Sequence, residues 1–352
     1  MWIERSSLTG RSAAWIAPTG VTEWKMNPIR RVLVPLDGSL TAESILPHAR
    51  GLATSLGSSV RLLHVLEHGR AGGLSRDSVE WRLHRAEARS YLEQVAERLE
   101  AAGLEVDTVV AEGKPARQVI FEARRWEADL IAVSSHGHGG PDLFSLGSIA
   151  QKIVSRAGVS ILLSRAGPPP PEGAPEVASY KRVILPVDLS RRSDWALSIG
   201  VRIARSGGGE IELLHVVSVP ELPERTPGDF VGRVHRARLI EIHNEAAREY
   251  LAAMEEKFAA PGLTIHWRLL ESSTVPGALA GTTEPDVDDL VVVSAHGVSG
   301  ASPWPYGSVA SHLIMHGKLP LLVLQDLPRE MPLGSESEST WSSAESPASW
   351  NA

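Results

Sequence analysis

The chain alternates short apolar runs with longer amphipathic stretches, and the periods of the two differ. "VLVPL" (Val32–Leu36) is an unbroken apolar run ending at a turn, as expected of a strand buried on both faces. A helix is expected across about Thr41–Leu56, then the strand "VRLLHV" (Val60–Val65). Ser78–Ala102 reads as a helix, with Leu92, Val95, Ala96 and Leu99 on one face and Gly103 as its stop. The strand "LEVDTVVA" follows, then a helix opened by Pro115 with Ala116, Val119, Ile120 and Ala123 spaced i, i+3, i+4, i+7. "DLIAVSS" is the next strand, Ala150, Ile153, Val154 and Ala157 mark another helix, and "VSILLS" closes the unit. Repeated strand–helix units imply right-handed crossovers and a mostly parallel sheet covered on both faces.

The whole pattern then recurs. "RRVLVPLDGS" returns as "YKRVILPVDLS", and "VRLLHVLE" as "IELLHVVS". The offset is 188 − 37 = 151 for the aspartate and 215 − 64 = 151 for the histidine. "SSHGHGGPDLFSLGS" (Ser134–Ser148) returns as "SAHGVSGASPWPYGS" (Ser294–Ser308) at 296 − 136 = 160, so the second copy holds a net insertion of 9 residues before this loop. The fold expected is α/β, two tandem domains, each an open five-stranded, mostly parallel Rossmann-like sheet. Domain one is expected over 28–166 and domain two over 180–326. Between them, 167–179 is a Pro-rich linker; residues 1–27 form an extension without a counterpart in the repeat, and 327–352 a Ser/Glu-rich tail expected to be disordered.

Composition narrows the function classes. A length of 352 residues fits two domains, and 43% hydrophobic with 22% charged residues is globular. The net charge of −7 gives no general attraction to nucleic acid or anionic membrane, and the arginines read as solvated helix faces among Glu and Asp. There is no cysteine, which removes disulfide, thiolate and Cys-metal chemistry. Neither a secretory h-region nor a membrane-length apolar run is present, so a cytoplasmic location is expected.

Candidate chemistry gathers beyond the carboxyl ends of the strands, where open parallel sheets bind ligands. Asp37 with Ser39, and Asp188 with Ser190, follow the first strand of each copy. Gly137 follows a strand end, where a missing side chain lets backbone amides approach a ligand. Gly147-Ser148 opens a helix whose first amides suit an anion without a lysine. Asp37 suits the sugar or base end of a nucleotide, or a magnesium ion. There is no G-x-x-x-x-G-K-[ST] and no G-x-G-x-x-G. His136 and His296 read as braces of the loop, since no carboxylate or nucleophile stands at a readable spacing. His64 and His215 read as structural, and the His136-x-His138 pair gives way to Val298 in the second copy, which argues against a metal there.

V-P-x-D-x-S, "LLHV", and "SSHG" plus nine residues plus "GS" together resemble the universal stress protein family in its tandem two-domain form, over about Pro28–Arg165 and Tyr180–Asp326. The resemblance implies a five-stranded parallel sheet per domain, of the adenine nucleotide alpha hydrolase-like type, and a G-x2-G-x9-G-[ST] motif that binds ATP. It places the nucleotide contacts at Pro35, Asp37, Ser39, Val65, Ser134, His136, Gly137, Gly147 and Ser148. In the second copy they fall at Pro186, Asp188, Val216, Ser294, Gly297, Gly307 and Ser308. Ser134 and Ser294 stand where the motif has its first glycine, and the second copy departs further, with Pro285, Pro303, Trp304 and Pro305 near its mouth. The first site is therefore expected to bind better. Pairing of "VSILLS" with "LPLLVL" is expected to join the halves, as the family's dimers join, and a homodimer of intact chains is also open. The function expected is ATP binding, with or without Mg2+, by a stress-response regulator with at most slow hydrolysis; a ligand-free scaffold and a slow ATPase are the alternatives.

Overall fold

The computed structural model describes residues 28–67, 78–137, 146–165, 177–218, 230–272, 274–282, 289–297 and 305–325. The calls made above on His138, Pro285, Pro303, Trp304, the N-terminal extension, most of the linker and the tail lie outside them.

The first half runs β1 (Arg31–Pro35), α1 (Leu40–Glu43), α2 (Leu46–Leu56), β2 (Ser59–Leu66), α3 (Val79–Glu100), β3 (Val106–Glu112), α4 (Pro115–Arg125), β4 (Leu130–Ser134), α5 (Ser148–Arg156) and β5 (Ser160–Ser164). The second half repeats it as β6 (Arg182–Pro186), α6 (Arg191–Gly207), β7 (Glu210–Ser218), α7 (Phe230–Phe258), β8 (Thr264–Ser272), α8 (Val275–Thr282), β9 (Asp289–Ser294), α9 (Ser308–His316) and β10 (Leu321–Leu324). One expectation fails locally. The helix expected over Thr41–Leu56 is two pieces, because Pro47 opens α2 and cannot continue a preceding turn. Its counterpart α6 has no proline and runs unbroken for 17 residues.

All the strands join one ten-stranded sheet in the order β3-β2-β1-β4-β5-β10-β9-β6-β7-β8. Every neighbouring pair is parallel except β5 and β10, which run antiparallel with Leu162 opposite Leu322. Since 322 − 162 = 160, the repeat offset there, each of these leucines faces its own counterpart. Ser55 and Ser206 do the same on helices α2 and α6, their hydroxyls touching at a separation of 206 − 55 = 151. A pseudo-two-fold axis therefore passes through both contacts.

Two apolar layers sandwich the sheet, and each spans both halves. One joins Leu52, Leu92, Leu197 and Leu251 from α2, α3, α6 and α7. The other joins Val119, Ile153, Leu279 and Leu313 from α4, α5, α8 and α9. Polar contacts cross the junction both ways: Arg165 donates to the Leu313 and Ile314 carbonyls (2.7 and 2.9 Å), which end α9, and the Tyr306 hydroxyl donates to the Val154 carbonyl (2.8 Å). The Ile314 and Val154 carbonyls are among the last four of their helices, which the intrahelical ladder does not pair, while Leu313 also accepts from the Gly317 amide (2.9 Å).

His48 marks the same junction. Its Nδ1 lies 2.9 Å from the Tyr180 hydroxyl, and the two rings stack at 5.9 Å. Burial pushes the imidazole down to about 4. A His whose folded value is depressed favours the unfolded chain as pH falls, since only that chain takes up the proton at its ordinary value. Its contribution should be complete above pH 6.5 and shrink between 6.5 and about 4. Allowing for the ring's residual solvent contact, the loss should reach roughly 2 kcal/mol. Denaturation midpoints across that range should fall more steeply for the wild type than for His48→Gln.

Candidate functional site

The turn after β1 is set by local chemistry. Asp37 Oδ1 accepts from the Ser39 amide (3.0 Å) and hydroxyl (2.6 Å), and Ser39 in turn caps α1 by accepting from the Ala42 amide (3.1 Å). Gly38 sits at φ +83, a conformation that glycine adopts without strain. The loop after β4 is pressed onto this turn. A methyl group built on Gly137 would lie 2.2 Å from Asp37 Oδ2, so the glycine makes room for the carboxylate of its own protein before any ligand is considered. Further along, the Gly147 amide donates to the Ser135 carbonyl (2.9 Å), which ties the far end of the loop back to the end of β4.

These contacts frame a cleft of about 800 Å3 at the carboxyl ends of β1, β2 and β4. Pro35, Asp37, Val65, Ser134, His136, Gly137, Gly147 and Ser148 all line it, whereas Ser39 stands behind Asp37. At one end α5 points its N-terminus into the cleft. Its first intrahelical bond runs from the Gln151 amide to the Gly147 carbonyl (2.9 Å), so the amides of Ser148, Ile149 and Ala150 precede the hydrogen-bonded ladder. Ser134, in the doubtful motif position, is buried, and its Oγ accepts from the Ser44 hydroxyl (3.2 Å). His136 has Nδ1 3.2 Å from the Ser135 hydroxyl, and the edge of its ring lies beside Gly147, as a brace does.

The far wall of the cleft went unread in the sequence. Helix α3 supplies Trp81, His84 and Tyr91 to it, and His64, taken above as merely structural, faces the cleft edge-on to Tyr91 (6.2 Å, 74°). Burial, with Glu43 nearby, pushes the Tyr91 hydroxyl above its ordinary range. The second half repeats the arrangement, since the Tyr250 hydroxyl donates to Asp194 Oδ1 (2.6 Å) and burial again raises it. The offsets 250 − 91 = 159 and 194 − 43 = 151 carried that signal.

The second set of predicted residues is assembled from the same parts. A methyl group on Gly297 would meet Asp188 Oδ2 at 2.2 Å, and the Gly307 amide donates to the Ala295 carbonyl (2.7 Å) ahead of Ser308 in α9. Pro186 ends β6 and Ser294 ends β9. Four details differ. Leu189 occupies the place of Gly38 at φ +64, where a bulky residue costs roughly 1–2 kcal/mol. The Ser193 hydroxyl takes Asp188 Oδ1 (2.5 Å). Arg192 reaches over to donate to the Gly297 carbonyl (2.8 Å), and Val216 is buried where Val65 lines a cleft. His215 Nδ1 lies 2.7 Å from the Val187 carbonyl; burial lowers its affinity for a proton, and this bond partly offsets the effect.

This is a ten-stranded α/β sheet with a motif-lined cleft past its strand ends, the position at which open parallel sheets take ligands. Comparison with known proteins goes further. The sequence profile of the universal stress protein family matches residues 28–165 and again 179–325, and the chain belongs to that family. A universal stress protein of Methanocaldococcus jannaschii is 26% identical over 141 residues, covering 39% of this chain and 82% of its own. One from Mycobacterium tuberculosis is 26% identical over 200 residues, 56% of this chain and 62% of its own. Among solved structures, a universal stress protein from Archaeoglobus fulgidus superposes with a TM-score of 0.56 at 19% identity, covering 84% of this chain and 98% of its own. A functionally unknown Pseudomonas aeruginosa protein gives 0.58 at 17%, with 86% and 94% covered. At these identities the likeness is one of fold.

Two substitutions separate strain from crowding. Nothing lies within 4 Å of a methyl group on Gly38, so Gly38→Ala should cost only the conformational term, about 1 kcal/mol. Gly137→Ala should cost roughly 2 kcal/mol or more, and at least half of that should vanish in an Asp37→Ala background. Thermal midpoints of the four variants and the parent measure both effects.

Proposed function

We propose that the first half binds an adenine nucleotide, with ATP as the ligand, and that the protein works as a nucleotide-responsive regulator rather than through turnover. The observation that carries this reading is the convergence of the motif residues on one cleft, with an aspartate at one end and the α5 N-terminus at the other. Phosphate oxygens would lie against the amides of Ser148, Ile149 and Ala150 and the Ser148 hydroxyl. Ribose would face Asp37, and the backbone near Val65 would face the base. The cleft's own apolar walls, Val119 and Ile153 among them, suit a flat heterocycle.

Magnesium would enter with the phosphates. Among the described residues no three His, Asp or Glu side chains cluster to hold a metal, so the cation's ligands would come chiefly from the nucleotide and water. Among the described residues of the loop His136 is the titratable side chain, and its contacts are those of a brace. The second half is the weaker binder in this reading, because Arg192, Ser193 and the buried Val216 have taken up its space. Among the described residues no helix is long and apolar enough to cross a membrane.

Titration calorimetry of the full chain with Mg-ATP should give one site, and saturating ligand should raise the thermal midpoint as mass action requires. Gly147→Val should weaken binding at least tenfold, since a methyl group there already approaches the Ser135 carbonyl to 3.2 Å. No heat at millimolar Mg-ATP, together with an unchanged midpoint, would favour the ligand-free scaffold. A steady-state turnover abolished by His136→Ala would favour an enzyme.

A further inference from the structure

Charge is not spread evenly over the two helical layers. The layer built on α2, α3, α6 and α7 carries acids together with bases on α3, α6 and α7. The opposite layer, α4, α5, α8 and α9, contains a single carboxylate in its helices, Glu122. Glu122 is 3% exposed and points inward to Arg61 (2.8 Å). The outward face of the packed pair α4 and α5 is basic: Arg117, Arg124 and Arg125 from α4, Lys114 before it, and Lys152 and Arg156 from α5 are all exposed. Phe121 lies among them, 58% exposed. In a protein of net charge −7 this is a segregated positive surface, and it corrects the expectation that the arginines are uniformly interspersed with acids.

The chain itself carries a complementary segment. Residues 326–352 hold Asp326, Glu330, Glu336, Glu338 and Glu345 against Arg329, and include Trp341 and Trp350. Its point of departure is fixed: the Gln325 amide donates to the Ser160 hydroxyl (3.1 Å). Because β10 runs antiparallel to β5, the last described residue sits beside the start of β5, four positions past Arg156. Helices α4 and α5 both run back along the sheet, so Arg124, Arg125 and Arg156 stand at this same end. An extended chain from Asp326 to Glu338 reaches about 40 Å, several times the roughly 8–10 Å between packed helices.

We propose that the α4–α5 face is the docking surface of the chain's own acidic C-terminal segment, residues 326–352. Charge attracts the segment, and tethering at Gln325 supplies an effective concentration in the millimolar range, which a separate acidic partner must exceed. The contact is exposed and multivalent, so salt weakens it as the screening length shortens to about 3 Å at 1 M.

Zero-length carbodiimide coupling of the full chain, read by peptide mass spectrometry, tests this. The expected product is an intramolecular amide from Lys152 or Lys114 to Glu336, Glu338 or Glu345, in monomeric protein at low salt. Its yield should fall severalfold in 0.5 M NaCl, and likewise in Arg124→Gln/Arg125→Gln/Arg156→Gln, which keeps both lysines; Glu122 loses Arg125 at 3.8 Å in this variant and retains its 2.8 Å bond to Arg61. Lys257, exposed on the other layer, is the internal control. Equal coupling of the tail to Lys257, or yields insensitive to salt and to the triple substitution, would overturn the proposal. So would links found only in cross-linked dimers. A wild-type chain whose lysines never reach the tail, yet which binds a mixed-sequence RNA oligomer that the triple variant does not, would reassign the face to a polyanionic partner.

Discussion

The antiparallel contact between β5 and β10 organises everything else in this molecule. A five-stranded sheet ending on an apolar strand such as "SILLS" exposes a row of unpaired amides and carbonyls, an arrangement that invites pairing with another edge. Here the invitation is met by the equivalent strand of the repeat, with Leu162 on Leu322. That single register fixes an axis, and the axis fixes the rest: Ser55 must meet Ser206, α2 must lie beside α6, and both apolar layers become continuous across the junction. Arg165 and Tyr306 then satisfy helix-end carbonyls across the seam, where water is excluded and an unmet acceptor is expensive.

Because the axis reverses one half relative to the other, the two strand-end loops open at opposite ends of the molecule. They were built from one plan and have drifted apart. In the first, the turn runs through a glycine and leaves a cleft; in the second, Leu189 is held where glycine belongs and Arg192 spans to the loop carbonyl. The strained turn at Leu189 has a structural task, positioning Asp188 against Gly297.

Much of this was legible in the residues. Apolar runs bounded by turns gave the strands, the repeat gave the halves, and the fixed spacing of Gly137, Gly147 and Ser148 gave the loop. What escaped has definable causes. Pro47 breaks a helix whose hydrophobic spacing continues through it, so period alone misses the break. The wall of Trp81 and Tyr91 comes from a helix far along the chain, and only the topology brings it to the cleft. Gly137 was assigned to ligand approach, while its nearest neighbour is the Asp37 carboxylate, a long-range contact that no local pattern encodes. The basic α4–α5 face is invisible to net charge because acids elsewhere along the chain outnumber its bases.

The outermost strands of the sheet bear on what the seam makes unnecessary. With the apolar strands consumed at the centre, the edges left are β3 and β8, which carry Asp107 and Glu112 on one side and His266, Arg268 and Glu271 on the other. Charged edges resist further strand addition. A contact that separate chains would make only above some threshold of abundance is, in this chain, a first-order event. The ten-stranded platform is thus indifferent to dilution, and a cell can hold the protein at low copy number without its sheet coming apart.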